Sequence, residues 1–407
     1  MTSKRVAVLG AGLQGVCIAL ELARRGVTVD LYERNPACLA EASIHNEGKI
    51  HLGLVYAGDK TLKTARLMAT GALCFQPLLR RWVGDAIDRI PVSAPFHYLV
   101  HRDSLIDADA FAVHVSGLTA FIREIAAGNT VAYFGQDPTR SPQLLPSSAY
   151  DGLYDPATVA AVFQTSEISF DPEALAAELR QRLAQTPEIR LRLGREAVAV
   201  SRRNSELVVR SVATEGEDNA AYDHVVNASW AGRLQLDGAM GIAPREKWSF
   251  RFKYFVRTTV PPGQPTVSAT IVLGPFGDIA CYGNGAAYLS WYPAGRVARC
   301  SDIAPPVLPA TLGGPEGQAL AAAIASGLGS VVPSAPRFAE GPAPTVKGGW
   351  IFAWGTTDID DPASRLHQRS DIGVHACGRY LSIDTGKLTM APLFAVEAAD
   401  RITGKPA

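Results

Sequence analysis

Arg5-Val-Ala-Val-Leu9 followed by Gly10-Ala-Gly12-Leu13-Gln14-Gly15 sets an apolar, β-branched run directly against glycines in GxGxxG spacing. Alone that spacing is a weak signal, and its flanks give it weight. Val16 to Arg25 reads as a helix, Gly26 as its stop, and Val27 to Tyr32 as a second strand. The whole is a βαβ unit, the building block of a parallel sheet. Glu33 closes the second strand 18 positions after Gly15, close to where a dinucleotide-binding unit carries its acidic residue. Gly10 permits the tight turn, Gly12 lets the backbone approach a pyrophosphate, and Gly15 lets the helix pack on the sheet. The helix start, with Leu13 and Gln14, presents N–H groups and a partial positive charge to the phosphates. Glu33, with Arg34 beside it, is expected at the ribose, where a carboxylate repels a 2′-phosphate and disfavours NADP.

Outward from that unit, 407 residues suggest two or three domains, and 47% hydrophobic against 19% charged residues can build a sizeable core. Lys plus Arg and Asp plus Glu both number 39, so no global positive field gathers nucleic acid or an anionic membrane. No window offers the roughly 18 uninterrupted apolar residues of a spanning helix, and glycines interrupt any leader-like stretch at the start. The six cysteines form no CxxC, which argues against a zinc site or disulfide framework and fits a reducing compartment. A soluble, cytoplasmic enzyme acting on a small molecule is the expectation.

Further along, a glycine-interrupted segment runs from Ser43 to Gly53, and residues 60–83 read as a helix. Residues 90–150 show no clear period. Asp171-Pro172 opens a helix to about Ala184, with a capping residue followed by proline in the first turn. Strands are expected near 189–193, at 196–200 and from Asp223 to Asn227. Residues 248–300 alternate aromatic and β-branched positions, a sheet signal. A Pro- and Gly-rich loop at 304–316 precedes a helix at 317–328, and 372–402 reads strand, loop, helix.

Three of these stretches resemble the D-amino-acid oxidase superfamily of flavoenzymes. His45-Asn46-Glu47-Gly48-Lys49-Ile-His51-Leu-Gly53 is similar to a segment of L-2-hydroxyglutarate dehydrogenases that runs past the flavin ring. Phe170-Asp171-Pro172 resembles the family's helix opening, and Val225-Val-Asn227-Ala228 its strand end, although Ser229-Trp230 replaces the usual Ala-Gly. Gly378 and Asp384-Thr385-Gly386-Lys387-Leu388-Thr389 resemble an element of glycerol-3-phosphate dehydrogenases. The resemblance covers 4–60, 165–232 and 372–402. It implies FAD rather than NAD, with the C-terminal turn at the pyrimidine edge of the flavin. There, N–H donors, a helix dipole or Lys387 would stabilise the negative charge that reduction brings. It also implies cofactor contacts from Asn46, Gly48, Lys49, Val198, Ala228, Gly378, Thr385, Gly386, Leu388 and Thr389. The fold implied is α/β, a Rossmann-type FAD-binding domain (1–75, 150–232 and 335–407) beside a mixed β-sheet substrate domain (76–149 and 233–334).

An enzyme of this kind removes a hydride from a carbon bearing oxygen or nitrogen, and an alcohol substrate also needs a base. His45 and His51, flanking the glycine turn, are the candidates, with satisfaction of backbone groups as the competing reading. His45 also lies roughly where dimethylglycine dehydrogenases link FAD covalently; the hydroxyglutarate-like enzymes share the histidine without the link, so none is expected. Arg251, Lys253 and Arg257 alternate on one strand face, and Arg251 and Lys253 are the candidate anion clamp unless that face is simply solvated. Tyr282, Tyr288 and Trp291 would wall the pocket or else be core. Asp358-Ile-Asp360-Asp361-Pro362 lacks metal-ligand spacing and reads as a turn. The expected reaction is oxidation of a CH–OH or CH–NH bond in a small, carboxylated substrate. A tailoring oxidase acting on a larger intermediate, and a non-catalytic dinucleotide sensor, are the alternatives.

Overall fold

Residues 4–128, 131–340 and 344–404 are described in the computed structural model. A six-stranded sheet runs in the order Gly373–Cys377, Tyr380–Asp384, His224–Asn227, Arg5–Leu9, Thr28–Tyr32, Ile189–Arg192, parallel except for its first edge strand. Its central strand has no solvent-exposed surface at Val6, Ala7, Val8 and Leu9. A strand covered on both faces reads as a continuous apolar run. The helices Leu13–Arg24 and Ala391–Thr403 pack on each other, and Lys63–Val83 packs on the latter. On the other face an antiparallel meander (Glu196–Arg203, Glu206–Ala213, Gly216–Tyr222) presses Val200, Val209 and Tyr222 onto Ala7, Tyr32 and Val225.

The second unit is built on a ten-stranded mixed sheet. Trp248–Thr259 is its hub, pairing with Ala286–Trp291, Arg296–Cys300 and Thr345–Trp354. Its far end, through Ala269–Val272 and His97–His101, reaches Val159–Gln164. Two strands that the sequence reading gave to the FAD-binding domain, Val159–Gln164 and Thr345–Trp354, thus pair into the larger sheet. Local alternation marks a strand but does not say which sheet receives it. The unparsed stretch holds the helix Ala108–Ala126, capped by Asp107, whose side chain accepts from the Ala110 N–H at 2.8 Å. The strand expected after residue 372 is a hairpin, Gly373–Cys377 with Tyr380–Asp384. No helix among the described residues is long and apolar enough to cross a membrane.

Asp171 fastens the two units where the helix Pro172–Ala184 begins. One carboxylate oxygen accepts from the Glu173 N–H at 3.1 Å, capping the helix. The other accepts from Arg257 at 2.7 Å and from Asn284 at 2.8 Å, both from the large sheet. Arg257, one of the three alternating cations, is therefore spent on structure. Asp171→Ala removes a cap and strands a largely covered guanidinium. The expected loss is about 3 kcal/mol of unfolding free energy in a denaturant titration; a change below about 1 kcal/mol would show that the fastening is unimportant.

Candidate active site

Two cavities open at the carboxyl ends of the parallel strands, where an open α/β sheet offers a crevice. The first, about 840 Å³, is lined by Gly10, Gly12, Glu33, Arg34, Ser43, Arg195, Ala197 and Ala228, among others. Gly10 has φ of +93°, and a Cβ there would sit 2.8 Å from Ser229 Cα. A Cβ on Gly15 would lie 1.9 Å from the Gly10 carbonyl oxygen, so turn and helix touch backbone to backbone. Leu13 N–H donates to Ser43 Oγ at 2.8 Å, which ties the helix start to the next loop. Glu33 accepts from the Ala11 N–H at 3.0 Å and from the Asn35 N–H at 2.9 Å, holding its carboxylate at the cavity wall. Arg34 pairs with Glu41 at 2.7 Å.

The second cavity, about 1570 Å³, shares Ala42 and Trp230 with the first. His45, Asn46, Glu47, Lys49 and His51 from the glycine-interrupted loop face it, as do Gly386, Lys387 and Leu388 from near the chain's end. Asn46 shapes the loop by accepting from the Gly48 N–H at 2.7 Å, while a Cβ on Gly48 would meet the Phe170 oxygen at 2.0 Å. The two ends of the chain are stitched together here. Thr385 Oγ1 donates to Gln14 Oε1 at 3.1 Å, and Gln14 Nε2 donates to the Ala391 oxygen at 3.0 Å. Thr389 Oγ1 accepts from the His51 N–H at 3.0 Å.

Charge in this cavity is unbalanced. Lys49, Arg251, Lys253, Arg369 and Lys387 line it against only Glu47 and Asp278. Lys49 donates to Thr270 and, at 2.8 Å, to Asp278, while Arg251 pairs with Asp358 at 3.3 Å. Arg369 and Lys387 pair with no carboxylate among the described residues. Arg369 Nη1 donates only to the Gly386 carbonyl, at 3.4 Å. Burial, reinforced by Arg369, pushes the Lys387 ammonium down to about 8. Burial also holds the His51 imidazole well below its usual range, helped by Lys387, Lys49 and Arg369, so it is neutral at pH 7. Its Nδ1 is enclosed without a hydrogen-bond partner, as is that of His45. The His51 Nε2 lies 3.9 Å from Glu47 Oε1.

Four expected site residues fall elsewhere, among them Trp291, which packs against the core of the large sheet. Gly378 is the exposed turn of the C-terminal hairpin, at the opposite end of the strands from Gly10. Val198 sits at the irregularity in its strand and does not line the cavity; its neighbours Arg195, Glu196 and Ala197 do. Tyr282 is buried away from the pocket, its hydroxyl donating to the Glu47 carbonyl at 2.9 Å, so it supports the loop from behind. Four residues that the sequence did not offer as site candidates belong to the setting: Arg369, Glu47, Asp278 and, behind His51, Glu167. Glu47 lies inside the His45–Gly53 segment, and the other three carry no local motif. Only the proximity of Glu47 to His45 and His51 in the chain was there to be read.

Fold and site together define a two-domain, Rossmann-type dinucleotide-binding protein, with the crevice at the carboxyl ends of one sheet's strands and a second sheet beside it. The family described as FAD dependent oxidoreductase (DAO) matches residues 5–293, and the chain belongs to it. Solved structures similar to the chain include glycine oxidase from Geobacillus kaustophilus, 17% identical, covering 100% of this chain and 96% of that one with a TM-score of 0.69. Dithionite-reduced L-alpha-glycerophosphate oxidase from Mycoplasma pneumoniae, with FAD bound, is 14% identical, covering 100% and 96% with a TM-score of 0.67. L-proline dehydrogenase from P. horikoshii is 15% identical, covering 100% and 94% with a TM-score of 0.66. At such identities the likeness shows the fold alone. A comparison with curated proteins returns no match.

The protein is thus an FAD-dependent oxidase or dehydrogenase, and the sensor alternative falls. The residues present fit that cofactor: a glycine cradle a Cβ would fill, a carboxylate beyond it, and a second cavity joined to the first. Gly15→Ala drives a methyl into the Gly10 carbonyl. FAD affinity should fall about 10- to 100-fold, the equivalent of about 1–3 kcal/mol of overpacking. Fluorescence titration of the apoprotein measures it, and an unchanged Kd would refute the contact.

Proposed function

We propose that this enzyme oxidises a CH–OH or CH–NH bond in a small anionic substrate, with a carboxylate or similar group seated against Arg369 and Lys387. The observation that carries this reading is that Arg369 and Lys387, together at the Gly386–Leu388 turn, line the cavity without carboxylate partners among the described residues; Lys253, the third such cation, is held by Ser290. An unpaired buried charge is costly, and an anionic ligand offsets that cost by forming the missing pair. Lys387 would also offset the negative charge that a bound flavin gains on reduction. The flavin, when bound, accepts the hydride.

His51 takes the proton. A neutral imidazole whose Nε2 lies on the Glu47 side of the cavity can accept it from a substrate hydroxyl or ammonium. As the proton and the hydride leave, the carbon–heteroatom single bond becomes a carbonyl or imine. Lys49 is held by Thr270 and Asp278 and over the Phe96 ring at 4.3 Å, so it shapes the wall rather than moving. Arg251 is anchored by Asp358 and Tyr292. Phe276, Tyr288, Tyr292 and Trp350 line the cavity with aromatic surface. The aromatic lining also favours a second reading, a bulkier acid with its apolar tail along this wall.

Anaerobic mixing with glycine, L-proline, L-2-hydroxyglutarate and glycerol 3-phosphate, beside bulkier acids, tests the reading through flavin bleaching. No bleaching by any anionic substrate would refute it. With the substrate found, Arg369→Ala should raise KM about 10- to 100-fold, the loss of one charge-assisted hydrogen bond, with a smaller effect on kcat. His51→Ala should lower kcat/KM about 10²- to 10⁴-fold. Unchanged rates in either variant remove that residue from its role.

A further inference from the structure

Behind the imidazole stands a carboxyl group that the reaction so far does not use. Glu167 has no solvent-exposed surface, and its Oε1 lies 3.7 Å from His51 Nδ1, a nitrogen with no hydrogen-bond partner. Its two oxygens are fixed from other directions. Tyr98 O–H donates to Oε1, and the Leu52 N–H donates to Oε2 at 2.7 Å. Leu52 adjoins His51 in the chain, so the bond that orients the carboxyl also fixes its position relative to the ring. Glu167 does not line the cavity, whereas His51 does. The order is therefore cavity, imidazole, carboxyl. Resting on the reading of His51 as proton acceptor, we propose that Glu167 is a positioning residue whose ionisation selects the His51 tautomer and so switches the base on.

The argument is one of proton count. His51 stays neutral, so it carries a single ring proton on one nitrogen or the other. When Glu167 is a carboxylate, the proton is best placed on Nδ1, facing the charge, and the Nε2 lone pair is free to accept from substrate. When Glu167 is protonated, it donates to Nδ1. The ring proton must then sit on Nε2, facing the cavity, where it blocks acceptance. The 3.7 Å separation is a few tenths beyond a hydrogen bond, as is common before a substrate tightens a site.

The groups around the pair set where the switch lies. Glu167 faces Lys49 and Asp278 across the sheet, Tyr98 on its own hydrogen bond, and Tyr56 and Tyr133 nearby. His51 faces Glu47 at Nε2 and the cations Lys49, Arg369 and Lys387. Burial pushes the Glu167 carboxyl up to about 7, opposed by Lys49, Tyr98 and the Leu52 N–H. The base is off below that pH and on above it.

Glu167→Gln keeps the shape and removes the titration. The Leu52 N–H requires the amide oxygen on its side, which leaves the amide NH₂ facing His51 Nδ1 and locks the ring in the blocked tautomer. In FAD-loaded enzyme with ¹⁵N-labelled histidine, the His51 signal, identified by its loss in His51→Ala, should change tautomer between pH 6 and 8, a window of about one unit on either side of 7. In Glu167→Gln that transition should vanish, and kcat/KM at pH 8 for the bleaching substrate should fall about 10²- to 10⁴-fold. Tyr98→Phe removes a donor that stabilises the carboxylate, so the midpoint should move to higher pH with the rate recovered above it. A tautomer transition that survives in Glu167→Gln, or a midpoint unmoved in Tyr98→Phe, overturns the proposal. If His51→Ala leaves the rate intact, the base reading fails instead. The tautomer measurement needs no substrate and still decides whether Glu167 controls the ring.

Discussion

The structure depends on a junction between residues 371 positions apart. The Gln14 amide, buried at the start of the first helix, accepts from Thr385 and donates to the carbonyl of Ala391 at the head of the last helix. A primary amide can do both at once, as no carboxylate or ammonium can. That bond brings the Gly10–Gly15 cradle and the Gly386–Lys387 turn to one crevice. The parallel pairing of Arg5–Leu9, His224–Asn227 and Tyr380–Asp384 holds it in register. A cofactor spanning the crevice meets backbone from both ends of the chain, and so reports that the whole sheet has closed.

Closure of the sheet also explains how so much positive charge is tolerated indoors. Of the cations along the hub strand, Arg257 is spent on Asp171 and Arg251 on Asp358, while Lys253 reaches Ser290 at 3.4 Å. Arg369 and Lys387, which like Lys253 have no carboxylate partner among the described residues, come from the segment that follows the large sheet and returns to the first. Desolvation depresses both, but the low dielectric that penalises them also strengthens any anion that arrives. On the proposed reading, charge recognition sits at the Gly386–Lys387 turn, and the large sheet supplies mainly walls.

Much of the fold was legible because its signals are local. The βαβ unit, the Asp171-Pro172 cap and the helix to Ala184 need only period, glycine and capping chemistry, and the structure has the helix at Pro172–Ala184. Sheet membership was not legible. Val159–Gln164 and Thr345–Trp354 fall inside the boundaries expected for the FAD-binding domain, and only pairing partners far away in the chain put them in the large sheet. The site divides along the same line. His45, His51 and Lys387 were found because a contiguous segment carries them into the crevice. Arg369 and Glu167 were missed because their surroundings are assembled from elements with no fixed spacing. Tyr282 was misplaced for a related reason. Alternation puts it on a strand, but what its hydroxyl meets depends on a loop 235 positions earlier.

That distinction bears on how chemistry can vary on this scaffold. The cradle is constrained backbone to backbone, since Gly15 has no room for a Cβ and Gly48 meets the Phe170 carbonyl. The Phe276, Tyr288 and Trp350 wall is constrained only by packing, and packed cores accept substitutions that keep volume. Between the two lies the loop from His45 to His51, backed by Tyr282, Glu167 and Thr389. Those three hold His51, the proposed proton acceptor, from outside the cavity lining. A change of substrate can therefore be made at the wall while the base keeps its geometry. A change of reaction would have to pass through residues that only the folded chain brings together.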